Sequence, residues 1–77
     1  MFGVSIDDRK KEKILTEIYK IFSLKNRESL DVRAILNTIN EYFVLDFNEL
    51  KYSVKNDEKI RFKFSDDLCT LNLIKYE

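Results

Sequence analysis

The apolar residues of this chain recur at helical spacing as far as Phe43 and at every second position beyond Asp46. A chain that changes its hydrophobic period once is expected to build helices first and strands afterwards, packed in separate layers. The first periodic segment runs from about Ser5 to Leu24. Ser5 with Asp8 three residues later resembles a capping box, and Asp7 and Asp8 place negative charge at the positive end of a helix dipole. Ile14, Leu15, Ile18, Ile21 and Phe22 define one face, with Lys10, Lys13, Glu17 and Lys20 opposite. After the polar break Lys25 to Glu28, Ser29 is placed to cap a second helix. Its stripe is Val32, Ile35, Leu36, Ile39, Tyr42 and Phe43. Two helices joined by so short a loop read as an antiparallel hairpin.

Beyond Asp46, Leu50, Tyr52 and Val54 alternate with Lys51, Ser53 and Lys55. Ile60, Phe62 and Phe64 alternate with Lys59, Arg61 and Lys63, and Cys69, Leu71 and Leu73 alternate with Thr70 and Asn72. Three such stretches predict three strands with one buried face each. Pairing Val54 with Ile60, Tyr52 with Phe62, Phe62 with Leu71 and Ile60 with Leu73 keeps the apolar set on one side, and a one-residue slip would expose it. The expected fold is therefore α+β: a two-helix hairpin packed on a three-stranded antiparallel β-meander (ααβββ), forming a single domain over residues 1–77. Phe2, Val4 and Ile6 can add a short edge strand. The alternative is winged-helix-like. Asp46 with Glu49 also resembles a helix start, and Phe47, Leu50 and Val54 fit a third helix followed by a hairpin from Lys59 to Ile74. The alternation, together with the strand preference of Tyr52 and Val54, favours the strand.

Composition narrows the chemistry. Of 77 residues one is cysteine and none is histidine, so neither an internal disulfide nor a common zinc ligand set is expected to support so small a core. Close helix–sheet packing or a homodimer are the remaining supports. Without histidine, Ser-His and Cys-His nucleophile pairs are impossible. With a single glycine, no phosphate-cradling loop is present. The acidic pairs Asp7-Asp8 and Asp66-Asp67 suit local capping. The chain is therefore expected not to be an enzyme and to need neither cofactor nor metal. The longest apolar run, Tyr42 to Leu45, is far short of a membrane span. A lone cysteine and an acidic start without an export signal lead to an expectation of the cytoplasm. The abundance of Lys, Ile and Asn suggests a bacterial or phage source.

Charges balance, 14 basic against 14 acidic, so any attraction to polyanions must be local. In the proposed register Lys51 lies opposite Lys63 and Lys55 opposite Lys59, with Arg61 opposite Ser53. Like charges across strands repel, which makes Lys51, Lys55, Lys59, Arg61 and Lys63 a candidate face for an anion or an acidic partner. The solvated, aggregation-resistant face is the competing reading. Leu68, Ile74 and Tyr76 make the last strand apolar on its second side, a candidate edge for self-association. Cys69 is expected to be buried opposite Phe64, and Phe22, Tyr42, Phe43, Tyr52, Phe62 and Phe64 to be core. The expected function is that of a small non-enzymatic interaction or regulatory protein, of adaptor or inhibitor type, acting on a protein partner. The alternative is a winged-helix-like DNA-binding regulator presenting Asn48, Lys51, Tyr52 and Lys55 to a groove.

Overall fold

The structure, a computed structural model, describes residues 8–74, which form an α+β domain of three helices and a three-stranded antiparallel sheet. The elements run α1 (Asp8–Lys25), β1 (Ser29–Asp31), α2 (Val32–Ile39), α3 (Phe47–Lys55), β2 (Phe62–Phe64) and β3 (Thr70–Leu73). The Ser5 cap, the Phe2–Ile6 strand and Tyr76 lie outside the described residues. Helix α1 buries the face expected of it, Ile14, Leu15, Ile18, Ile21 and Phe22. It ends in a Schellman motif: Asn26 takes a left-handed φ of 53°, and the Asn26 and Arg27 amides donate to the carbonyls of Ser23 and Phe22.

The ααβββ order is not what forms. Leu50 and Val54 satisfy both periods, because four residues is one helical turn and also two strand repeats. The cap decides between them. The Glu49 amide donates to Asp46 Oδ1 at 2.8 Å, and the Asp46 amide donates to Glu49 Oε1 at 3.1 Å, closing a full capping box. The segment that alternation assigns to a strand therefore winds into α3. Tyr52, which a strand would bury, is 39% exposed. Ser53, which a strand would expose, is buried with its hydroxyl donating to the Glu49 carbonyl. The expected pairs Val54–Ile60 and Tyr52–Phe62 do not exist.

The third strand comes instead from the α1–α2 connection. Ser29 lies in β1, and Asp31 takes the capping role, accepting from the Arg33 amide at 2.9 Å. The strand order is β1-β3-β2, so the last strand made is the central one. Its register with β2 is Phe62↔Leu73 and Phe64↔Leu71, two residues from the expected pairing. A shift of two preserves the buried face, but it moves Cys69 out of the ladder into the turn, where it is exposed. Helix α2 stops at Ile39, so Tyr42 falls beyond its stripe and is exposed, while Phe43 is half-buried.

The core lies between α1 and the sheet and is closed by α2 and α3. Phe22 stacks on Phe62 with ring centroids 5.6 Å apart, and Phe47 meets Phe64 edge-on at 6.1 Å. No helix among the described residues is long and apolar enough to cross a membrane.

Candidate nucleic-acid interface

Helices α2 and α3 are joined by a short connection that Asn40 holds in place. Its side-chain amide donates to the carbonyls of Leu36 (2.7 Å) and Leu45 (2.9 Å), and its Oδ1 accepts from the Leu45 amide at 3.0 Å. One side chain thus ties the end of α2 to the approach of α3. Leu45 itself is buried.

Helix α3 directs Leu50, Ser53 and Val54 inward. The residues left outside are Asn48, Tyr52, Lys55 and the capping Asn56, with Lys51 half-exposed beside them. Positions 48, 51, 52 and 55 share one helical face at the i, i+3, i+4, i+7 spacing. These side chains border a single shallow depression. They are amide, ammonium and phenol groups, which can meet base edges and phosphate oxygens. The single carboxylate within α3, Glu49, is already committed. Lys10 of α1 donates to its Oε2 at 2.7 Å. That hydrogen bond, aided by the Asp46 amide and opposed by burial, lowers its pKa from the ordinary glutamate value. Lys11 reaches the far end of α3, where its ammonium donates to the Asn56 carbonyl at 3.1 Å, a cation at the negative end of the helix dipole.

The β2–β3 hairpin has the opposite character. Its turn carries the exposed acids Asp66 and Asp67. Asp67 Oδ1 accepts from the Ser65 hydroxyl at 2.6 Å and from the Cys69 amide at 3.0 Å, and these bonds, the hydroxyl first, hold its pKa below the usual aspartate value. The two exposed carboxylates at the hairpin tip oppose the approach of phosphate.

The five basic residues proposed as one sheet face are dispersed. Lys51 and Lys55 lie on α3, Lys59 is exposed in the turn after it, and Lys63 is exposed on β2. Arg61 is 4% exposed and turned inward. Its Nε and Nη2 donate to Asp57 at 3.0 and 3.1 Å, and its guanidinium lies 3.7 Å from Glu12 of α1. It is held by carboxylates and does not face outward. Of the proposed self-association edge, Leu68 is half-buried in the hairpin turn and Ile74 is exposed just past β3. Because β3 is paired on both sides, neither lies on an open strand edge.

The Asn40 clasp and the Asp57–Arg61 pair had no sequence signal beyond an amide near a helix end and an acid four residues before a base. Among the described residues, no group of three or more His, Cys, Asp or Glu side chains is placed to hold a metal ion. Comparison of the chain with protein-family models, with curated proteins and with solved structures returns no match.

Proposed function

We propose that this domain is a winged-helix-like DNA-binding regulator in which α3 enters the major groove. The observation that carries the reading is the polar, cationic stripe Asn48, Lys51, Tyr52 and Lys55 on the outer face of the second helix of a helix-turn-helix pair. The order helix, strand, helix, helix, strand, strand agrees with this reading. Lys51 and Lys55 supply phosphate contacts, and Asn48 and Tyr52 supply hydrogen bonds to base edges or sugar. The acidic hairpin tip takes no phosphate, so the helix carries the binding and the affinity is modest. A second reading, a regulator of adaptor or inhibitor type acting on a protein partner, is favoured by the exposed apolar side chains Leu24, Tyr42, Val44 and Ile60.

The test is a fluorescence-anisotropy titration of a labelled duplex at low and moderate salt. Binding that falls with salt, with Lys55→Ala reducing the log–log slope by about 1, supports phosphate contact by α3. Absence of binding at low salt, or a slope unchanged in Lys51→Ala and Lys55→Ala, would sink the DNA reading and leave the protein-contact one.

A further inference from the structure

Strand β2 lies at one edge of the sheet, paired with β3 alone among the described strands. The Ser65 amide donates to the Thr70 carbonyl at 2.9 Å, and the Ile74 amide to the Arg61 carbonyl at 2.7 Å. With the register Lys63↔Asn72 between them, the odd-numbered residues turn their backbone groups toward β3. The amides and carbonyls of Phe62 and Phe64 therefore point to the open side, where no described strand meets them. Such an edge is a template for another strand.

The side chains beside this edge have an order. A groove between α3 and β2 is lined by the apolar residues Val54, Ile60, Phe64 and Leu68, and Ile60 is 65% exposed. Phe47, at the start of α3, meets Phe64 at the end of β2, so the helix runs against the strand and its last turn lies beside the strand's start. Exposed Lys55 thus borders the groove near Ile60, where β2 begins. Exposed Asp66 borders it near Leu68, past the end of β2, with Asp67 next to it. Glu58 and Lys59, both exposed in the turn before the strand, offset one another. The edge is cationic at one end, anionic at the other and apolar along its length.

An antiparallel pairing of this edge with itself lays each end on the opposite end of the copy. Lys55 then approaches the Asp66 end, and Ile60 approaches the end that holds Leu68. From the open backbone groups, the apolar groove and the opposed charges, we infer that β2 is the interface at which a second copy of this chain docks, continuing one three-stranded sheet into the other. The two-fold axis falls at Phe64, which sets Lys63 against Ser65 of the copy. An axis at Lys63 would set two ammonium groups face to face. The strand contributes only three residues, so the dimer is a weak one that forms and dissociates with concentration. The exposed stripe of α3 stays outside it except at Lys55, and the inference does not depend on the DNA reading.

The experiment is sedimentation equilibrium of the full chain from micromolar to millimolar concentration, with heteronuclear NMR spectra over the same dilution. The mass should rise toward twice that of the monomer, with dilution shifts centred on the Phe62 and Phe64 amides. Lys55→Glu and Asp66→Lys should each weaken association about tenfold or more, because each sets like charges against one another. An equimolar mixture of the two variants should associate as the parent does, since every charged contact across the axis then joins opposite signs. That recovery also shows that neither substitution acts by damaging the fold. A monomeric mass at every concentration would overturn the inference and leave the edge to a strand of another protein. Association unmoved by either variant, or not recovered on mixing, would overturn it as well. So would dilution shifts that spare Phe62 and Phe64.

Discussion

At the scale of single residues, the most consequential interaction is the one between Asp57 and Arg61. Burial alone would raise the Asp57 pKa, but the guanidinium and the amides of Arg61 and Lys59 outweigh it and lower it from the ordinary value. A carboxylate with a depressed folded pKa contributes stability that is complete above its unfolded value, about 3.9, and lost as pH falls through the folded value. Acid unfolding should therefore begin below about pH 4. Arg61→Met should cost about 3 kcal/mol in urea denaturation and flatten that acid limb, because a buried charge is left without its partner. Adding Asp57→Asn should recover part of the loss by removing that charge; a double variant less stable than Arg61→Met would contradict this account. None of this was legible in the sequence. Arg61 alternates with apolar neighbours in the pattern of an exposed strand residue, and only the turn's backbone, bent around the Asp57 carboxylate, brings it inward.

At the scale of elements, α1 was legible because propensity, amphipathic period and polar flanks agree over five turns, and the β2–β3 hairpin because its alternation has no helical rival. Helix α3 was misread for a physical reason. In this nine-residue segment Leu50 and Val54 fit both periods, while Phe47 fits only the helix and Tyr52 only the strand. The remaining evidence was split between the capping box and the strand preference of Tyr52. The box prevails because it satisfies two orphan donors where a short helix has few other supports. The two assignments differ in what Tyr52 does, and that can be measured. With the ring at the surface, Tyr52→Ala should lower the unfolding free energy measured in urea by less than about 1 kcal/mol, against roughly 3 kcal/mol or more for a buried ring. Asp46→Ala should cost about 1 kcal/mol through loss of the cap. A large effect of the first and none of the second would restore the strand. Strand β1 escaped notice because three residues are too few to show a period, and Ser29 competes as a cap.

At the scale of the whole molecule, the balance of charge conceals a division. The outer face of α3 and the turn that follows it are mainly cationic, while the tip of the hairpin is anionic. The Cα radius of gyration, 11.6 Å, is close to the roughly 11.5 Å expected of a compact chain of this length. The first half is joined to the second through β3 and through α1, which meets α3 at the Lys10–Glu49 pair and β2 at the Phe22–Phe62 stack. Leu30 pairs with Leu71 and Phe64 pairs with the same residue from the other side, so the two outer strands meet only through it. Thermal unfolding should therefore be a single transition, with far- and near-ultraviolet circular dichroism coinciding. A chain ending at Asp67 should show no cooperative transition at all. Retention of a sharp melt by that fragment would mean that the helices form an independent unit.

The central position of β3 also bears on synthesis. The sheet closes from the middle, and its middle is the last of the described elements to be translated. Until Leu73 has cleared the ribosome, α1, α2 and α3 have no sheet to cover, and β1 and β2 have no neighbour. Completion of the sheet therefore waits until β3 has been made. A product that stops before β3 would leave the edges of β1 and β2 unpaired and so open to proteases and to pairing with other chains.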